Sequence, residues 1–330
     1  MTKELSGSKK ILIIRLSSIG DILLTTPLIR SIKKQNPVAQ IDFLVKEDFF
    51  LIVKNNPHLT EIYNYPKDTI EKQKLISILK SNKYDIIIDL QNNLRSSEVT
   101  RQLRTKTFKF KKKTLKKFLL VKFKINFLKN SPLISIRYAK SANVELDDEG
   151  LELYTDEIAD SRLTLNAKYI GLCPGAKHFT KRWPKEYFVE LGNMLESSGY
   201  KVVLFGGPGE IGLSNELAEQ LTDPINLSNE NILRTAANMK MCRVIYTNDS
   251  GTMHLASAMK IPVVAFFGST VKEFGFFPYK VQNIVLEVND LSCRPCSHIG
   301  RKSCPLTHFK CMRNIIPDTA FRSLNRFQIS

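Results

Sequence analysis

Four loops in this chain gather glycines, cations, hydroxyls and carboxylates where an apolar run gives way to a helical pattern. Asn248-Asp249-Ser250-Gly251-Thr252-Met253-His254 follows the run Arg243–Thr247. Ser250, Gly251 and Thr252 there would set backbone N–H groups and hydroxyls at a helix N-terminus, which suits a phosphate by hydrogen bonding and by the helix dipole. Asp249 reads as a ligand contact or as a plain N-cap, and on the residues alone the cap leads. His254 lies about a turn further on, within reach of the same ligand or simply in the core. Pro174–Pro184 (PGAKHFTKRWP) offers Lys177, Lys181 and Arg182, with Trp183 as a packing anchor. Cations so placed could neutralise a diphosphate leaving group; a solvated basic loop with Pro184 opening a helix explains the same letters. Phe205–Glu210 (FGGPGE) is glycine-rich but is neither the dinucleotide fingerprint nor a P-loop. Its Glu210 could bind sugar or ribose hydroxyls, or sit in the first turn of the next helix. Lastly, Asp21 follows Ser17-Ser18-Ile19-Gly20. It is either a general base at a cleft edge or a first-turn helix residue.

The elements that must position these loops alternate between strand and helix in both halves. Lys10–Leu16, Ile41–Val45 and Asp85–Leu90 read as buried parallel strands in the first half. A helix is expected from Asp21 to about Lys34, stopped by Asn36-Pro37. After the acidic Asp147-Asp148-Glu149-Gly150 the pattern restarts. Strands are expected at Lys168–Cys173, Lys201–Phe205, Arg243–Thr247 and Pro262–Phe267, and helices at Lys185–Ser198, Ile211–Leu221, Asn231–Met239 and Thr252–Met259. Such alternation implies parallel sheets with right-handed crossovers. A polar linker near residues 155–168 divides the chain into domains 1–160 and 161–330. Two doubly wound domains place a ligand cleft beyond the carboxyl ends of their strands.

A formal charge of +17 calls for an anionic partner: nucleic acid, lipid headgroups or a phosphorylated substrate. No acidic residue lies between Glu98 and Glu145, where Arg101, Arg104 and many lysines interleave with Phe108, Phe110, Phe118, Phe123 and Phe127. That stretch reads as an amphipathic surface for an anionic membrane, or as ordinary helices with snorkelling lysines. No apolar run has the length of a membrane span or the flanks of a secretory signal, so a cytoplasmic protein is expected. Six cysteines in such a chain argue against a disulfide framework. Cys173 and Cys242 read as core residues, whereas Cys293, Cys296, Cys304 and Cys311 begin with a CxxC that suggests structural zinc. The spacing of the later pair is not that of a common zinc module, and buried thiols or a redox-labile cluster fit as well.

The order of these blocks resembles the lipopolysaccharide heptosyltransferases of glycosyltransferase family 9. The matching pieces are ILIIRLSSIGDILLTTPLIRSIKK, DIIIDLQ, PGAKHFTKRWP, VVLFGGPGE and YTNDSGTMHLASAMKIPVVAFFG, with CRPC and CPLTHFKCM near the end. The resemblance implies the GT-B fold, in which two Rossmann-like domains face a central cleft. The N-terminal domain would bind the acceptor and the C-terminal domain the nucleotide sugar, with the last helix returning to the first domain. It implies an inverting, metal-independent transfer of heptose from ADP-heptose to the lipopolysaccharide inner core, with no cofactor. The enzyme would work at the inner face of the inner membrane and bind no nucleic acid. Asp21 matches the general base and Lys181 the lysine that stabilises the diphosphate. Lys177, Glu210, Asp249, Ser250, Gly251 and His254 are then donor-binding, and Asn229–Leu233 borders the adenine. Ser18, Gly20, Arg101 and Arg104 are the expected acceptor contacts. This chain has Cys173 where relatives often have His, and Ala176 and Lys177 where some have threonines. Rival readings are a GT-B transferase or epimerase for another nucleotide sugar, a nucleic-acid-binding protein, and a silent sugar-nucleotide binder.

Overall fold

The computed structural model of the chain describes residues 5, 7–155, 161–164 and 167–327, so part of the expected linker lies outside the described residues. Two compact units emerge, Met1–Lys112 with Ile134–Tyr154, and Lys113–Leu133 with Thr155–Ser330.

The first unit is built on β1 (Lys10–Ile14), β2 (Gln40–Lys46), β3 (Glu61–Tyr65), β4 (Ile86–Asp89) and β5 (Thr107–Lys109). They form one parallel sheet in the order β3-β2-β1-β4-β5. β1 is central, and Ile11, Leu12, Ile13 and Ile14 are all 0% exposed, as a strand covered on both faces requires. The chain runs outward from β1 to β3, then returns to β4 on the other side. The switch point therefore lies between β1 and β4, whose following loops hold Ser17–Asp21 and Gln91–Asn93.

The expected helix from Asp21 to Lys34 is two helices, α1 (Ile19–Leu23) and α2 (Thr26–Gln35). The break has a local cause. Pro27 has no N–H for the Leu23 carbonyl, and the hydroxyls of Thr25 and Thr26 donate to Ile22 O at 2.6 Å and Leu23 O at 2.8 Å. Further on come α3 (Thr69–Ser81), α4 (Leu94–Leu103), α5 (Thr114–Phe123) and α6 (Ile134–Ala142).

The acidic patch proves to be structural. Arg30 on α2, 3% exposed, donates to both Asp147 oxygens at 2.7 Å, to Gly150 O at 2.9 Å and to Glu152.

The second unit carries β6 (Tyr169–Cys173), β7 (Lys201–Leu204), β8 (Ile225–Asn226), β9 (Cys242–Asn248), β10 (Val263–Phe267) and β11 (Asn283–Glu287). This sheet is also parallel, in the order β11-β10-β9-β6-β7-β8, which sets its switch point between β6 and β9. Its helices after α5 are α7 (Lys185–Ser197), α8 (Ile211–Ala218), α9 (Ile232–Lys240), α10 (Gly251–Ala258), α11 (Lys310–Arg313) and α12 (Pro317–Ser323). Trp183 anchors the core, stacked on Phe266 at 4.2 Å and donating its indole N–H to Ile315 O at 2.8 Å.

The two compact units divide the chain at other places than the expected boundary. Residues 113–133, the middle of the basic stretch, belong to the second unit. Leu120 and Leu128 pack with Phe274, and the Lys124 ammonium donates to Pro295 O at 2.7 Å and Cys293 O at 3.1 Å. The last helix, α12, also belongs to the second unit, where it packs on α7 and takes a hydrogen bond from Tyr246 Oη to Ala320 O at 3.1 Å.

Candidate active site

In the first unit a carboxylate is fixed at the switch point. Asp21 sits in the first turn of α1, behind the N-cap Ser18, whose hydroxyl donates to Asp21 Oδ2 at 3.1 Å. On the other oxygen, Oδ1, the Arg15 guanidinium lies at 2.7 Å and the Tyr138 hydroxyl at 3.5 Å. Arg15 is itself locked, its Nε donating to Ser17 O at 2.8 Å and its Nη1 to Leu90 O at 2.7 Å. A fork with its other donors committed can hold a carboxylate in one orientation. Burial pushes the Tyr138 phenol up, so it stays a neutral donor.

The turn after β4 braces this group. Asp89, 0% exposed, accepts from Asn92 N at 2.7 Å, Gln91 N at 3.1 Å and Ser96 Oγ at 2.8 Å. Burial pushes its carboxyl up against the pull of those donors. Gln91 in turn accepts Leu16 N on Oε1 at 3.0 Å, tying the two switch-point loops together.

Of the expected acceptor contacts, Ser18 and the buried Gly20 lie beside Asp21 on α1. Arg101 is exposed in the last turn of α4 and Arg104 is that helix's left-handed C-cap, with φ of 53°. Among the described residues neither joins the Arg15–Asp21–Tyr138 group. The cation that senses this group is Lys112, whose pKa is lowered by desolvation and then by the Arg15 charge.

In the second unit the loops after β6 and β9 meet at the switch point. Lys181 Nζ lies 2.7 Å from Asp249 Oδ2, which also accepts from Thr270 Oγ1 at 2.6 Å. Asp249 is therefore not the helix cap that the residues alone favoured; Ser250 takes that position and α10 begins at Gly251. The Ser250 hydroxyl does not cap the helix but shares a hydrogen bond with Thr252 Oγ1 at 2.7 Å. The Ser250 side chain thus leaves the first-turn N–H groups of α10 uncapped.

The loop is braced by a residue that sequence reading missed. Asn248 accepts Trp183 N at 2.8 Å and donates to Pro174 O at 2.8 Å and Gly175 O at 3.3 Å.

Glu210 closes the glycine-rich turn, accepting Gly207 N at 2.9 Å. Its carboxylate also packs on Gly175, where a Cβ would stand 1.9 Å from Glu210 Cδ. A side chain there would have to push the end of the Glu210 side chain aside, so the PGAK and GGPGE loops are matched in position. Lys177 is exposed on the first of them. His254 is 3% exposed on α10, its ring edge-on to Phe276 with centroids 6.4 Å apart. Cys173 is buried at the end of β6, and burial pushes its thiol up. Asn231, in the segment assigned to the adenine, caps α9 by accepting from Leu233 N and Arg234 N at 2.9 and 3.0 Å.

The CRPC segment also carries a structural arginine between its thiols. Arg294 donates to Gly268 O at 2.6 Å, Thr270 O at 2.9 Å and Glu287 Oε2 at 2.7 Å. It thereby fixes the strand-end turn from which Thr270 reaches Asp249. Cys293, Cys296, Cys304 and Cys311 are free thiols, and burial pushes Cys311 up to about 12. Among the described residues no three Cys, His, Asp or Glu side chains are arranged to hold a metal ion.

The glycosyltransferase family 9 (heptosyltransferase) model matches residues 72–307. The chain is 30% identical over 322 residues to lipooligosaccharide heptosyltransferase 2 of Campylobacter jejuni, covering 93% of this chain and 96% of that one. Among solved structures it is similar to a family 9 glycosyltransferase from Veillonella parvula, with TM-score 0.73, 26% identity and 86% of each chain covered. The ADP-heptose lipopolysaccharide heptosyltransferase II of Escherichia coli has the same fold, with TM-score 0.75, 24% identity and coverage of 96% and 98%. The GT-B fold, two parallel-sheet α/β domains, follows from these likenesses. With its sheets, its switch-point loops and its sequence all of one kind, the chain belongs to glycosyltransferase family 9, the heptosyltransferases.

Proposed function

We propose that this glycosyltransferase moves a heptose from ADP-heptose to the inner core of lipopolysaccharide, with inversion at the anomeric carbon. The observation that carries this is the second unit's Lys181–Asp249–Thr270 group beside the α10 N-terminus, in a chain of this family. A cation and a row of backbone N–H groups suit a departing diphosphate, whose charge grows as the glycosidic bond breaks. Asp249 orients the lysine and leaves its remaining N–H bonds for phosphate oxygens. In the first unit Asp21, held by Arg15 and Ser18, takes the proton of the acceptor hydroxyl as that oxygen attacks. Lys177 and Glu210 lie on the two matched loops that would border the donor.

The charge complement is supplied by the protein, so the reaction is proposed to need no divalent metal; a rate unchanged by EDTA is the expected result. The acceptor carries phosphates and carboxylates, which gives a chain of net charge +17 its counterpart. The place of work proposed is the cytoplasmic face of the inner membrane, checked by fractionating cells for the protein.

The direct test is transfer from ADP-heptose to truncated lipopolysaccharide, followed by the mass gained by the acceptor. Gain of one heptose supports the reading. Turnover of another nucleotide sugar, with or without acceptor, and none of ADP-heptose would replace it with the related transferase or epimerase reading.

A further inference from the structure

Residues 113–133 of the second unit hold six lysines and no carboxylate. They also hold an unusual share of the molecule's exposed apolar surface. Leu115, Phe118, Phe123, Ile125 and Phe127 are 69, 54, 57, 47 and 60% exposed. Among the described residues only one other phenylalanine, Phe179, is so exposed. Five large apolar side chains within 13 residues are not the scattered singles that every surface shows.

This surface is fixed, not a loose end. Leu120 and Leu128 are buried against Phe274, Asn126 Nδ2 donates to Glu273 Oε1 at 3.1 Å, and Lys124 is tied to Pro295 O. α5 spends little of its apolar content on the core, since Leu120 is its only buried residue. Phe118 and Phe123 meet edge to face, with centroids 6.0 Å apart, on the outside of the unit. Lys116, Lys122 and Lys129 are exposed around them. Beside Phe127 a depression of about 280 Å³ is lined by Lys113, Lys129, Asn126, Asn130 and Ser131, all able to donate.

We infer that this face docks on an anionic lipid surface, the aromatic rings at the headgroup–acyl boundary and lipid phosphates among the lysines. The charge complement decides for lipid over an apolar protein partner. The exposed aliphatic side chains of Leu115 and Ile125, which offer no face for base stacking, decide for lipid over nucleic acid. Each basic residue near such a surface contributes roughly fivefold in affinity, and salt weakens that share.

The inference stands apart from the sugar-transfer reading, because its test needs no donor. The full-length protein is sedimented with phosphatidylcholine vesicles, and with vesicles in which about a third of the lipid is phosphatidylglycerol. Binding at least tenfold tighter to the second kind, weakened by salt, is expected. Phe118→Ser, Phe123→Ser and Phe127→Ser together should reduce it a further tenfold with every lysine in place. ADP affinity and thermal midpoint, unchanged in that variant, show that it is folded. Equal binding to both vesicle types overturns the inference. So does a triple variant that binds like the parent, or duplex DNA that displaces the protein from vesicles at equal charge, since charge alone would then explain the attachment.

Discussion

The Asp21 carboxylate is useful as a base only if it points one way, and Arg15 is what points it. Its guanidinium spends Nε on Ser17 O and Nη1 on Leu90 O and gives Nη2 to Asp21. Arg15→Lys keeps a charge but loses the fork. The expected result is a kcat lower by about tenfold or more, with ADP affinity unchanged; a fall in ADP affinity instead would mean a general loosening. Lys181 is the proposed counterpart in the second unit. Lys181→Ala should cut turnover by about 100-fold, the scale of one lost charge-stabilising donor, and weaken donor binding with it. Steady-state kinetics against ADP-heptose concentration read both at once, and unchanged values would remove Lys181 from the site. Asp21, Lys181 and Ser250 stood out in the sequence as candidates because each follows a strand-like run. Arg15 was also visible, as one of two cations in KILIIRL, but a buried charge just past a strand end has no motif. Tyr138, Thr270 and Asn248 gave no signal, since their roles exist only once distant segments meet.

At the scale of elements, polar ties fix what the strands alone leave free. Arg30 on α2 gathers Asp147, Gly150 O and Glu152. Removing a buried partner leaves charges uncompensated, so Arg30→Ala should cost about 3 kcal/mol in denaturant unfolding. The same cluster sets a pH dependence. Arg30 holds the Asp147 carboxyl well below the usual carboxylate range. Such a group stabilises the fold in full above its unfolded value near 4 and loses that contribution as pH falls toward the native value. The thermal midpoint should therefore drop below about pH 4, and Asp147→Asn should flatten that drop; an unaltered slope would show that other carboxylates set it. Central strands were legible because burial on both faces writes them as apolar runs. Edge strands β3, β5, β8 and β11 were not, nor was the division of α1 from α2, which depends on two threonine hydroxyls as well as Pro27. The basic stretch looked like one feature in sequence. Its middle is instead drawn to the second unit by Leu120, Lys124 and Asn126.

For the whole molecule, both units repeat one device: a parallel sheet whose order reverses, with the candidate residues on the loops at the reversal. One reversal carries a carboxylate and the other a cation beside a helix N-terminus. The proposed roles, a base on the first unit and diphosphate stabilisation on the second, fall on separate units. They should then separate experimentally. The most direct measurement compares Asp21→Ala with the parent chain for heptose transfer to truncated lipopolysaccharide and, by calorimetry, for ADP binding. The account predicts transfer lower by about 1,000-fold and an ADP dissociation constant within about twofold of the parent's, since a carboxylate of the first unit is given no part in holding the diphosphate. Near-normal transfer by that variant would contradict it.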